Sequence, residues 1–247
     1  RSGSADLLYT LAAPGDVTAE LVDDTGAVVR TLKAKGATGL NRLTWDLRFE
    51  PPRRVELRTL APDNPHIWEE ARFKGRETRP VVHWGIEQAS IVGPLAAPGA
   101  YTVRLTSGGQ TLTRTLTVAK DPGIEASDDE LRQSTAAQKR IRAAMDESVG
   151  IINTLERLRK QVEDRRAARG RTPAADARLA ALDKQLLDAE LKLLSRSDMQ
   201  SDDKWYVETY KVYMNLVWLN GELGTGAGDV AGGADARPTE AALRTLD

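Results

Sequence analysis

The chain has 247 residues, 40% hydrophobic and 29% charged, with 35 basic and 36 acidic side chains and a net charge of −1. That length holds one large domain or two of ordinary size, and the composition is that of a folded protein. Balanced charge excludes an electrostatic case for nucleic acid or an anionic membrane as the main partner. No apolar run approaches the roughly 20 residues a transmembrane helix needs. The absence of cysteine excludes disulfides, thiolate metal sites and cysteine nucleophiles.

The chain opens Arg1-Ser2-Gly3-Ser4, with no initiator Met or signal peptide, and strand-like sequence follows within a few residues. Either a leader has been removed or this is the tail of a longer polypeptide, and the second is the expectation. Leu7 to Leu11 reads as a strand ending at the turn Pro14-Gly15. Val17 to Val22 places Val17, Ala19 and Leu21 on one side, and Asp23-Asp24-Thr25-Gly26 is a hairpin turn in which Gly accepts positive φ. Ala27 to Leu32 returns. Leu40 to Phe49 is expected to be a strand with Leu43, Trp45, Leu47 and Phe49 on one face. Pro98-Gly99-Ala100 leads into Tyr101, Val103 and Leu105, and the tight turn Ser107-Gly108-Gly109-Gln110 leads into Leu112, Leu116 and Val118. Alternating strands separated by turn signals predict a sandwich of about seven strands over residues 1–123.

Residues 50–80 interrupt that rhythm. Pro51, Pro52, Pro62, Pro65 and Pro80 stand among Arg53, Arg54, Arg58, Arg72, Lys74, Arg76 and Arg79. Proline supplies no ladder donor, so the segment is expected to be a long excursion. Ile67, Trp68 and Phe73 within it need cover, from the sandwich, the helices or a partner.

After Asp121-Pro122-Gly123 the apolar period changes from two to about 3.6, and residues 124–247 are expected to be helical. Ser127-Asp128-Asp129-Glu130 is a capping box. Leu131, Ile141, Met145, Ile152, Leu155 and Val162 then mark a helix to about Arg169, some ~60 Å long, stopped by Gly170. Thr172-Pro173 starts a second helix with Leu179, Leu182, Leu186 and Leu193 as its stripe. Ser201-Asp202-Asp203 is expected to cap a third, running to about Leu219. An antiparallel hairpin of the first two with the third docked on it is the economical arrangement. Residues 221–233 read as a Gly-rich loop and Thr239 to Leu246 as a short final helix.

Three segments together resemble a known domain type: Val22-Asp23-Asp24-Thr25-Gly26-Ala27-Val28-Val29-Arg30-Thr31-Leu32, Gly39-Leu40-Asn41-Arg42-Leu43-Thr44-Trp45-Asp46-Leu47-Arg48, and Ala97-Pro98-Gly99-Ala100-Tyr101-Thr102-Val103-Arg104-Leu105. In this order they resemble the FlgD-type Ig-like domain of extracytoplasmic bacterial proteins, a fibronectin-like sandwich. With Lys120-Asp121-Pro122 and the tail Ala234-Asp235-Ala236-Arg237-Pro238-Thr239, most of the chain resembles the C-terminal region of large secreted bacterial sortilin-like, Asp-box β-propeller proteins of glycosyl hydrolase-like type. No Asp-box repeat occurs in the chain itself. Such a tail is also similar to accessory periplasmic subunits of bacterial photosynthetic reaction-centre and light-harvesting complexes. The resemblance implies a periplasmic or secreted location.

Motifs that would carry chemistry are sparse. The two histidines are His66 and His83; Asp63, Glu69 and Glu70 lie near His66, but their spacing matches no metal pattern. Gly224-Thr225-Gly226-Ala227-Gly228 follows a helix instead of a strand and does not open one, so it reads as a linker. Ser201-Asp202-Asp203-Lys204 fits a Ser-x-x-Lys pattern without its companion motifs. No pair of carboxylates stands in an apolar setting, as a tuned general acid would require. The basic run Arg157, Arg159, Lys160, Arg165, Arg166, Arg169 and Arg171 is diluted by Glu156, Glu163 and Asp164.

The feature that stands out is aromatic. Trp205, Tyr206, Tyr210, Tyr213 and Trp218 are five of the twelve aromatics, with Tyr206, Tyr210, Tyr213 and Val217 expected on one helical face. That face is either packed on neighbouring helices or anchors a partner, since Trp and Tyr dominate interface hot spots. The expectation is a non-catalytic structural subunit of an α+β chain that binds protein partners in a larger assembly. It has no catalytic residues, metal or cofactor, and any membrane association is through its partners. Trp205, Tyr206, Tyr210, Tyr213, Trp218 and Trp68 are its candidate partner-binding residues. The alternative is a carbohydrate-associated accessory module from a glycosyl hydrolase-like propeller protein.

Overall fold

The computed structural model describes residues 3–82, 90–170, 172–200, 208–225 and 237–246. The chain is α+β: six strands in two antiparallel sheets occupy the N-terminal half, and helices follow. The strands are β1 (Ala5–Leu11), β2 (Gly15–Val22), β3 (Val28–Gly36), β4 (Gly39–Trp45), β5 (Gly99–Ser107) and β6 (Gln110–Val118). β1 pairs with β4, and the other sheet has the order β3-β2-β5-β6. The helices are α1 (Asp128–Ala167), α2 (Pro173–Glu190), α3 (Arg196–Gln200), α4 (Val212–Thr225) and α5 (Glu240–Leu246).

Contacts group the chain into two compact units. One is Arg1–Pro51, Val92–Arg140 and Leu223–Asp247; the other is Pro52–Ile91 and Ile141–Glu222. Compactness therefore does not divide the chain where strand gives way to helix. Residues 52–91 group with later helical residues, and the first turns of α1 group with the sheets.

In the first unit, alternation does what the sequence predicts. Val17, Ala19 and Leu21 of β2 are buried, and both sheets feed one core of Leu21, Trp45, Phe49, Tyr101 and Val103, flanked by Leu7 and Leu116. Trp45 is fully buried. Its ring meets Tyr101 edge-on at 5.4 Å, and its Nε1–H donates to the Arg48 carbonyl at 2.8 Å. The turn between β5 and β6 has positive φ at Gly108 and Gly109, 56° and 77°, the geometry that suits a two-residue hairpin.

The strand expected over Leu40–Phe49 stops at Trp45. The Asp46 carboxylate accepts the Arg48 N–H at 3.1 Å, and Leu47 takes a φ of 55°, so a side-chain turn replaces the ladder. Phe49 is still buried, by another route: its N–H donates to the Pro94 carbonyl, and Ala96 N–H donates to the Leu47 carbonyl. α1 begins at the expected capping box. Ser127 N–H donates to Glu130 Oε2 at 2.8 Å, and Glu130 N–H to Ser127 Oγ at 3.2 Å.

In the second unit α2 runs antiparallel to α1, as the hairpin expectation requires. Arg166 pairs with Asp176 at 3.3 Å near the turn, and Arg159 with Asp183 at 3.2 Å farther along. Gly170 stands at the turn with φ 82°, and Thr172 caps α2 by accepting Ala175 N–H. The third helix expected over 201–219 is corrected: α4 starts at Val212 and continues to Thr225, while residues 201–207 lie outside the described residues. Tertiary bonds hold 208–211 off a helical path. The Glu208 carboxylate accepts the N–H groups of Arg196 and Ser197, and Tyr213 N–H donates to the Leu193 carbonyl. Gly221, expected in a loop, is inside α4. A Cβ there would come within 2.6 Å of Ser90 Oγ, so glycine serves close approach at this point instead of stopping the helix.

Gly93 is the tightest glycine of the first unit, since a Cβ would lie 1.9 Å from the Phe49 carbonyl oxygen. Gly93→Ala is expected to destabilise the protein by about 1–3 kcal/mol, the cost of overpacking against rigid backbone. Chemical denaturation of the variant checks this, and unchanged stability would mean that 93–96 does not lie against 47–50.

Candidate functional site

The Pro/Arg-rich excursion is ordered, and helix side chains order it. Residues 53–60 alternate like a strand, with Val55, Leu57 and Thr59 buried, yet α1 lies where a sheet neighbour would. The backbone N–H groups of Arg53, Glu56, Thr59 and Leu60 donate to Asp146, Asn153, Glu156 and Glu163 at 2.7–2.9 Å. Arg58 N–H donates to Glu156 as well. The spans agree: 17 residues of helix rise about 26 Å and seven extended residues cover about 23 Å. Beyond this stretch, Leu57 and Arg79 exchange backbone hydrogen bonds, and Ala61, Ile67 and Phe73 close a small core against Trp68 and Val82.

At the centre of this unit stands a buried charge cluster. Glu156 also accepts the Thr59 hydroxyl at 2.6 Å. Arg159 Nη1 reaches Glu156 at 3.3 Å and Glu190 at 2.8 Å, while its Nε donates to Asp183. Glu156, Arg159 and Glu190 are 1%, 3% and 0% exposed. Burial, reinforced by the neighbouring Glu156 charge, pushes the Glu190 carboxyl up to about 8 against the pull of Arg159. Burial also lowers Arg79 to about 10, partly offset by Glu156 and Glu70, and raises Glu163. Sequence inspection missed this pair: Glu156 and Glu190 look like solvated helix carboxylates, and only the hairpin brings them together. Arg159, three to five residues from Glu156, Glu163 and Asp164, was the available signal.

The candidate partner residues scatter. Trp205 and Tyr206 lie outside the described residues. Tyr210 precedes α4, so it and Tyr213 do not share one helical face. Tyr213 is 1% exposed and belongs to the unit's own core, because the turn from Tyr210 into α4 points it inward; it is not available to a partner. Tyr210 and Trp218 are half-buried with ring centroids 6.3 Å apart. Trp68, also half-buried, donates to the Thr59 carbonyl at 3.0 Å and lies under the Arg79 guanidinium.

Of the remaining motifs, His66 forms an exposed pair with Glu69 at 2.9 Å, and His83 lies outside the described residues. Among the described residues no group of three or more His, Asp or Glu could hold a metal, and no helix is long and apolar enough to cross a membrane. Within the unit Arg159, Lys160 and Arg166 of the basic run have carboxylate partners: Lys160 pairs with Glu163 and Asp164, and Arg166 with Asp176. Ser201–Lys204 and residues 226–228 lie outside the described residues.

Each unit also leaves an apolar groove open. In the second unit Leu158, Val162, Leu179, Leu182 and Leu186 line a groove of 320 Å³ between α1 and α2, with Leu158 and Leu182 42% and 44% exposed. In the first, a groove of 780 Å³ opens between β1 and β5–β6.

The Glu190 shift fixes a pH dependence. Because its folded value, about 8, lies above its ordinary 4.5, the stabilisation is complete below about pH 4.5 and is lost as pH rises toward 8. The slope is at most about 1.4 kcal/mol per pH unit. Glu190→Gln is expected to remove this component, so that the wild-type-minus-variant difference falls with pH across that window. Urea denaturation at several pH values measures it, and a flat difference would show that Glu190 is ionised in the fold.

Set against family models, curated proteins and solved structures, the chain matches none.

Proposed function

We propose that the chain is a non-catalytic structural subunit that binds protein partners in a larger extracytoplasmic assembly. The observation that carries this is the pair of apolar grooves, one in each unit, lined by leucines that remain 42–62% exposed at Leu158, Leu182 and Leu112. Contiguous apolar surface of this kind marks interaction sites. The chemistry-bearing groups point the same way. Glu156 and Glu190, the two carboxyls with the environment of an acid–base pair, are sealed from any substrate and spend their contacts on Thr59 and Arg159.

In this reading the first unit is an Ig-like, fibronectin-like sandwich. Support comes from Trp45 inside the core and from the Tyr101 hydroxyl, which donates to the Ala97 carbonyl four residues upstream at 3.0 Å, the arrangement of a tyrosine corner. The extracytoplasmic location, the origin in a propeller-bearing protein and a photosynthetic complex as the assembly rest on the sequence resemblance alone. A carbohydrate-associated module would need an aromatic platform on the sheets, whereas Trp45, Phe49 and Tyr101 are buried. Tyr210 and Trp218 remain the aromatic contacts available to a partner; Trp68 is committed largely to Arg79 and Thr59.

The test is to replace both Leu158 and Leu182 by Lys in the full chain. Both side chains are partly exposed, so the melting temperature is expected to change little. The wild type is expected to sediment with a larger assembly from its native host, and the variant to lose at least tenfold in association. A wild type that sediments alone in native extracts, or reproducible turnover of a glycoside or ester abolished by one substitution, would overturn the proposal.

A further inference from the structure

The groove of the first unit has the form of a missing strand. The sheets β3-β2-β5-β6 and β1-β4 are joined on one side by the short link from β3 to β4, and on the other side β1 and β6 are each an edge strand. Inward-facing residues on that open side are incompletely covered: Leu7, Tyr9, Leu11, Leu105 and Leu116 are half-buried and Leu112 is 62% exposed. Toward the middle of the same sheets, Leu21 and Val103 are buried. An apolar floor bordered by strand edges that no ladder pairs among the described residues suits an extended chain, which bonds an edge and sends alternate side chains onto the floor. A helix spends its backbone bonds internally and would leave those edges unmet. Seven residues of β1 span about 23 Å, room for three inward side chains of an added strand.

Charge narrows the occupant. Arg114 alternates with Leu112 and Leu116 along β6, so it stands on the groove side and lines the floor. Its hydrogen bond goes to the adjacent Thr113 carbonyl, and it makes no ion pair among the described residues. Asp6, on the β1 rim, is already engaged by Thr44 at 2.6 Å and Arg42 at 3.7 Å. A carboxylate on the incoming strand therefore completes the site. Arg114 is also the midpoint of β6 (Gln110–Val118), so pairing with a second copy about that point would set like charge beside like.

We propose that the groove between β1 and β6 takes an extended, acidic segment of a partner protein as an added strand, with apolar side chains on the floor and a carboxylate on Arg114. This rests on the reading of the chain as an interaction subunit and names what one of its surfaces takes. The probes are two blocked nine-residue peptides of alternating Thr and Val, one with a central Glu and one with a central Lys, titrated into the full chain at low salt. The Glu peptide is expected to bind at least tenfold tighter, Arg114→Glu to invert that preference, and Leu112→Arg to abolish both. Hydrogen exchange at β1 or β6 edge amides is expected to slow at least tenfold with the Glu peptide. Equal affinity for both peptides, binding indifferent to Arg114, or no edge protection overturns the proposal. So does Leu112-sensitive dimerisation of the chain alone, which would make the occupant a second copy. If the peptides fail while the wild type still sediments with a larger assembly, the groove assignment falls and the interaction reading stands.

Discussion

The second unit depends on one substitution of partners: a helix face accepts hydrogen bonds that a strand would normally exchange with another strand. Residues 53–60 follow two prolines and are extended, so their donors, apart from Leu57 N–H on Arg79, need acceptors that no ladder provides. Asp146, Asn153, Glu156 and Glu163 recur along one face of α1 and meet those donors in order. Hydrogen bonds to charged acceptors contribute about 1.5–3 kcal/mol each. Their geometry also fixes register, since sliding the segment by one residue would turn Val55, Leu57 and Thr59 outward. The rest of the excursion then has a fixed starting point from which Ile67 and Phe73 can be buried.

That arrangement explains why the charge cluster exists. Glu156 holds the N–H groups of Arg58 and Thr59, yet it is buried. Arg159, one turn away, supplies the compensating cation and is itself paired by Glu190 and Asp183 across the hairpin. A third nearby carboxylate exceeds what one guanidinium neutralises, and Glu190, the most enclosed, holds its proton instead. Removing Arg159 alone would leave buried carboxylates uncompensated, so the cluster ties segment 53–60, α1 and α2 into one cooperative element.

The legible parts of the chain were those set by local signals. The hairpin turns, the capping box at Ser127, the stop at Gly170 and the Thr172 cap each depend on residues within four positions, and each is in the fold. The elements misread are those decided by distant residues. β4 ends early because Asp46 turns the chain onto 94–96, α4 starts late because Glu208 is drawn to α3, and Gly221 is helical because Ser90 packs there. The same distinction holds for the site: aromatic clustering in sequence did not become a shared face, whereas Glu156 and Glu190, 34 residues apart, did meet.

The first unit solves its packing differently, and the contrast bears on function. Its core is buried around Trp45 and Tyr101 but thins toward β1 and β6, where Leu112 is left exposed. An inward arginine on an edge strand costs little while the edge faces water, and it discourages indiscriminate pairing. The same arginine gains most when a carboxylate arrives as the groove is dried. Selectivity of that kind requires no catalytic group, only an edge, a floor and one charge that has no carboxylate partner among the described residues.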